Sequence, residues 1–306
     1  MMSDNIFLDG KDSRLYMEFE KILPSAQGMA IWEDRVYILY DTGVCAVYDL
    51  KMRRREPLAQ FPLGSYNNGT PTKDYLNHAN SCMFSDIHYQ GNPIPLLYVV
   101  IGTGIGEDED GFFYRCAVEN IVQTVDEQGK EIYTAETLQV ISYRAGGEEC
   151  HDYMCPSWGC PAFLIDCKTE SLYMFSSRYR TKYGCVPEGE RNAFIITKFR
   201  LPEISAGEWV RLTAEDIQDQ FSVESDVMFT QGGTIVDGKL YYTFGLPRRE
   251  YPVTILLFDL EKKTLFRQIG NLDQAFRNEE IECCEFYGGT LLCNTNDGSL
   301  FEVLME

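Results

Sequence analysis

With 306 residues, 44% of them hydrophobic, the chain is long enough to bury a large core, and its formal charge of −20 produces a field that repels phosphate backbones and anionic lipid. The charge therefore argues against general nucleic-acid or membrane-surface binding. No stretch reaches the roughly 18 apolar residues of a spanning helix, and the first residues carry no secretory pattern, so the expected setting is the cytoplasm. Eleven cysteines is an odd count. Cys45, Cys82, Cys167, Cys283, Cys284 and Cys293 occupy positions suited to small buried residues, and they read as reduced core thiols.

In chain order, residues 15–23 alternate apolar and polar side chains like a strand that needs a partner. A first unit opens at Gln27 and continues through strands at 36–40, 44–50 and 57–63, with a turn at Asp41-Thr42-Gly43. A second opens near residue 80 and places strands at 96–100, 112–118 and 138–143. A third runs from Pro161 through 171–175 and 192–199. The fourth opens at Gln231, with strands at 240–244, 254–260 and 264–269. The fifth opens at Glu282 and ends after three strands, the last at 299–304.

The units are copies of one another. Gln27-Gly28-Met29-Ala30-Ile31 and Gln231-Gly232-Gly233-Thr234-Ile235 continue in the same register to Tyr37 and Tyr241, and residues 282–292 follow it with Glu in the Gln position. Such repetition of a unit that cannot bury its own apolar face builds solenoids and propellers. The mean period of about 64 residues exceeds the roughly 40–50 of compact propeller repeats, so the excess lies in insertions. A last unit one strand short and an unpartnered N-terminal strand complete each other if residues 15–23 form the outer strand of the last blade.

On these repeats the chain resembles a β-propeller, most similar in plan to five-bladed bacterial propellers of uncharacterised or carbohydrate-related function. The expected fold is all-β: one five-bladed propeller domain over residues 1–306, with blades opening near 27, 80, 161, 231 and 282. Neither a Trp-Asp signature nor a kelch double glycine recurs in each unit. The resemblance thus carries architecture and almost no mechanism.

Propeller architecture implies that the innermost strands line a central channel with ligands at one mouth. Register then sends Gln27, Asn80, Gln231 and Glu282 to the axis, with His78 nearby. This predicts a binding or interaction module for a small polar ligand, a glycan or a protein segment. The alternative is a carbohydrate-active enzyme, a glycoside hydrolase or polysaccharide lyase, using Glu282 with His78 or a second carboxylate. Five-bladed glycosidases of the arabinanase type, to which the plan is compared, place several carboxylates at inner-strand positions, whereas this ring supplies one. Partners for Glu282 are sought among Asp226, Glu280, Glu285, Asp86 and Asp166.

The cluster Cys150, His151, Cys155 and Cys160 offers zinc-ligand chemistry at a spacing unlike the common Cys-x-x-Cys arrangements, so no metal and no cofactor is expected. It reads instead as an inserted loop over the channel mouth, with Trp158 available to stack on a sugar or a partner's side chain. The glycines at 102, 104 and 106 run into an acidic stretch, Glu107 to Asp110, without a lysine, and read as an acidic hairpin rather than a phosphate loop. Residues 68–70 read as an Asn-Gly turn.

Overall fold

The computed structural model describes residues 6–65, 78–79, 81–101, 112–144, 158–178 and 188–305, with the backbone alone at 101, 112–114, 144 and 158–161. Two short strands come first, β1 (Ile6–Asp9) and β2 (Arg14–Glu18). Four sheets then follow in order. The first is β3 (Ala26–Trp32), β4 (Arg35–Tyr40), β5 (Val44–Asp49) and β6 (Ala59–Pro62). The second comprises β7 (Cys82–Phe84), β8 (Leu97–Ile101), β9 (Phe112–Val125) and β10 (Glu131–Arg144). The third is β11 (Trp158–Asp166), β12 (Ser171–Ser177), β13 (Ala193–Arg200) and β15 (Ile217–Glu224), with β14 (Trp209–Leu212) inserted before its last strand. The fourth is β16 (Thr230–Val236), β17 (Lys239–Leu246), β18 (Tyr251–Asp259) and β19 (Thr264–Gly270). The fifth sheet, β20 (Ile281–Tyr287), β21 (Thr290–Thr295) and β22 (Ser299–Glu302), takes β2 as its outer strand. The chain is a five-bladed β-propeller closed by its own N-terminus.

Closure is more extensive than the alternation of residues 15–23 indicates. The closing strand ends at Glu18. Phe19 N then donates to Gly298 O and Glu20 N to Arg55 O, which carries the chain from the fifth blade to the first. Upstream, β1 runs parallel to β19 and adds a fifth strand to the fourth blade. One N-terminal segment therefore staples two blades. The insertion ahead of β15 does the same elsewhere: β14 leaves its own blade and runs parallel to β10 of the second. Four-residue strands with no apolar period leave no sequence signal, because their pairing is decided by a neighbouring blade.

Local chemistry explains the regular part. Inner and second strands of three blades are joined by two-residue turns, and in the fourth blade Asp237 and Gly238 both take positive φ (49° and 69°), the backbone that matches the twist of the flanking strands. Near-continuous apolar runs follow from burial on both faces, since each blade is covered by the next. The core accordingly occupies the wedges between blades. Tyr37 meets Phe84 edge-on at 4.9 Å between the first and second, and Phe175 stacks on Tyr242 at 3.8 Å between the third and fourth. Tyr241 meets Phe286 at 5.0 Å between the fourth and fifth. Among the described residues no helix is long and apolar enough to cross a membrane.

Candidate binding site at the axial mouth

The turn pairs Trp32–Arg35, Asp166–Ser171, Val236–Lys239 and Tyr287–Thr290 define one level of the ring. Counting back five residues along each inner strand reaches Gln27, Pro161, Gln231 and Glu282. The next residue inward is small in each case: Gly28, Ala162, Gly232 and Cys283. A Cβ on Gly28 would stand 2.8 Å from Ala79 O, so the first two inner strands approach closely enough to require glycine. In all four of these blades the ladder breaks around this point, between Ala26 and Met29, Trp158 and Ala162, Thr230 and Gly233, and Ile281 and Cys283. Bulges of this kind turn a side chain out of the regular alternation. Here they turn Gln27, Gln231 and Glu282.

The three side chains are buried, at 2%, 6% and 3% exposure. Gln27 Nε2 donates to Ser25 Oγ at 2.7 Å, while Gln27 Oε1 has no hydrogen-bond partner among the described residues. Exchanging the amide atoms would only move the unmet valence to nitrogen. Ser81 Oγ, just ahead of β7 where Gly28 packs, is a second buried atom without such a partner. Asn296 Nδ2 lies 2.9 Å from Ser25 Oγ and 3.0 Å from Glu282 Oε1, joining the fifth blade to the first. Gln231 Nε2 reaches Glu280 Oε1 at 3.3 Å, and the other oxygen of Glu280 pairs with Arg248. Thr243 Oγ1 lies 2.7 Å from Gly232 O and 3.2 Å from Glu282 O. A polar rim thus runs from Ser25 through Glu282 to Arg248.

His78 stands at the edge of this rim, ahead of the residue whose carbonyl receives Gly28 N. Its backbone is left-handed at φ 64°, and it is held twice by Asp41: Nδ1 to Oδ1 at 2.7 Å, and backbone N to O at 2.6 Å. A carboxylate on Nδ1 orients the ring and directs Nε2 away from Asp41. By sequence alone Asp41 is a turn residue, and Asn296 opens a similar turn, Asn296-Asp297-Gly298. Neither has a local signal, because each meets its partner across a blade boundary.

Of the carboxylates considered as partners for Glu282, Glu280 is at the rim. Asp166 closes the β11–β12 turn at the opposite end, where Oδ2 accepts from Thr169, and Asp86 follows β7 at that same end. Asp226 is drawn outward into an exposed pair with Arg191. Glu285 lies deeper along β20, its carboxylate accepting from Thr234 Oγ1 of the neighbouring inner strand at 3.1 Å and from Phe286 N at 2.8 Å. Burial pushes its carboxyl up to about 7. The same burial raises the Cys283 thiol to about 12 and those of Cys82 and Cys284 well above the ordinary range, so these thiols are packing groups at neutral pH.

Asn80, Cys150, His151 and Cys155 lie outside the described residues, as do the side chains of Trp158 and Cys160. Among the described residues no group of three or more His, Cys, Asp or Glu side chains is disposed to hold a metal ion.

The sequence matches no protein-family model and no curated protein. Solved structures do match the fold. The glutaminyl cyclase of Myxococcus xanthus superposes with a TM-score of 0.51 over 99% of each chain at 12% identity. The PQQ-bound aldose sugar dehydrogenase of Streptomyces coelicolor gives a TM-score of 0.47 at 12% identity, over 96% of this chain and 98% of that one. At this identity the likeness to the cyclase shows the propeller fold and nothing of the chemistry.

Proposed function

We propose that the chain is a ligand-binding propeller whose axial mouth receives a small polar ligand, a glycan or a protein segment, bound through its hydrogen-bond donors. The observation that carries this reading is Gln27. A buried amide oxygen without a partner costs roughly 1–3 kcal/mol and calls for a donor from water or ligand. Ser81, Gln231 and Glu282 open or flank the neighbouring inner strands with further buried polar side chains, and Glu280 links Gln231 to Arg248. Asn80 is expected to add an amide to the same ring, and Trp158 an apolar face against a sugar or a partner's side chain.

Ligand-observed NMR with sugars, polyols and primary amines tests this. A hit on the native chain that Gln27→Met weakens about tenfold supports the assignment. The reading is defeated if no hit on the native chain is weakened by either Gln27→Met or Glu282→Gln.

The pairing of His78 with Asp41 favours a second reading, an acid–base enzyme acting on a carbohydrate at the same mouth. There His78 Nε2 serves as base and Glu282 as the opposing acid. Turnover of a carbohydrate by the native chain, lost in Glu282→Gln and His78→Gln with binding retained, would favour the enzyme over the module.

A further inference from the structure

A cavity opens on the same end of the ring as the polar rim, where the connections of the fourth blade meet the turn between β1 and β2. Its volume is about 560 Å³, within the range of sites that hold small molecules. Three segments far apart in sequence build it: the turn joining β1 to β2, the connection from β17 to β18, and the connection from β19 to β20. The chain from Gln231 through Glu280 to Arg248, next to Pro247 of its wall, runs between this cavity and the axis.

The walls are fixed before any ligand arrives. Asp273 Oδ1 accepts from Val253 N at 2.9 Å, and Asn278 N donates to Asp273 O at 2.7 Å. Gly10 N donates to Gly270 O at 2.9 Å. Leu272 and Phe276 anchor the third segment, Phe276 stacking on Phe301 at 4.4 Å. Phe229 stacks on Tyr251 at 5.3 Å and covers one face of its ring. A preformed wall avoids the ordering cost that a loose loop incurs on binding.

The lining sets the ligand chemistry. Asn271, Gln274 and Asn278 present amides, each able to donate and to accept, while Tyr251, Pro247 and Pro252 present apolar faces. The charges are largely engaged: the Lys11 ammonium lies 3.5 Å from Asp9, and Asp273 holds Val253 N. Paired donors and acceptors beside an aromatic ring suit vicinal hydroxyls with an apolar C–H face. An anion would face Glu250 and Asp273 with one cation already paired. We infer that this cavity is a binding site for a neutral saccharide unit, separate from the axial mouth and independent of its assignment.

Isothermal titration and ligand-observed NMR with glucose, maltose, cellobiose and lactose test the site on the full chain. Binding of at least one of these sugars is expected, weakened about tenfold by Tyr251→Leu and about threefold by Gln274→Ala, and unchanged by Gln27→Met. Gln274 is exposed and its side chain supports no wall, so Gln274→Ala separates lost binding from lost folding. The inference is overturned if none of the four sugars binds up to about 20 mM, a free energy of roughly −2 kcal/mol. It is equally overturned if Gln27→Met abolishes binding while Tyr251→Leu does not, or if inorganic phosphate binds there in place of sugar.

Discussion

Glu119 and Gln27 are both removed from solvent, at 0% and 2% exposure, and differ in what they are bonded to. Glu119, on β9, accepts from Gly64 N, Ser65 N, Ser65 Oγ and Thr137 Oγ1, so both carboxylate oxygens are occupied. Burial raises its carboxyl and these four bonds pull it back. It ties the chain leaving the first blade to the β9–β10 hairpin of the second. Gln27 opens the inner strand of the first blade, with one amide atom bonded and the other unmet among the described residues. Equal burial is thus reached in opposite ways: a saturated group holds the fold, and an unsaturated one is, on the function proposed above, where a ligand would gain most by binding.

Three measurements sharpen or break the contrast. Glu119→Ala leaves four donors without their acceptor, and urea denaturation should report a loss of about 3 kcal/mol. A loss under about 1 kcal/mol would mean that the clamp is dispensable and the contrast empty.

Glu285 gives an effect of similar size with a defined sign. Its carboxyl is raised from 4.5 to about 7 in the folded chain, so between those values the folded state holds the proton that the unfolded state has released. Its contribution is full below about pH 4.5 and lost as pH rises through about 7, and stability should fall by about 3 kcal/mol across that window. In Glu285→Gln this part of the slope should vanish; parallel curves for the two proteins would place the carboxylate in contact with solvent rather than in the axial wall.

Gln27→Met exchanges an under-bonded amide for an apolar group of similar length. Melting should stay within about 1 kcal/mol of the native chain, because little bonding is removed. A loss like that of Glu119→Ala would show that Gln27 is structural.

Much of this arrangement was legible in the chain itself. The shared register of residues 27–37, 231–241 and 282–292 located three inner strands and their polar openings, because burial on both faces of a blade imposes the same apolar pattern wherever the unit recurs. The short last unit and the alternation after Leu15 likewise carried the closure of the ring. Asp41 and Asn296 looked like ordinary turn residues, and five carboxylates competed equally as partners for Glu282. Distance along the chain ranks none of them. The blade geometry does, sending Asp86 and Asp166 to the far end, Asp226 outward, Glu285 deeper and Glu280 to the rim.

Local periodicity by itself thus determined blade order, most of the strands though not β15, and which residue opens each of the matched strands, since these depend on burial repeated within a few tens of residues. Only the tertiary structure decided the parallel staples of β1 and β14, the pairing of His78 with Asp41, and the valence of Gln27 left unmet among the described residues. Each of these rests on contacts between segments that the sequence separates and the ring brings together, and hydrogen bonds made across blades leave no period to read.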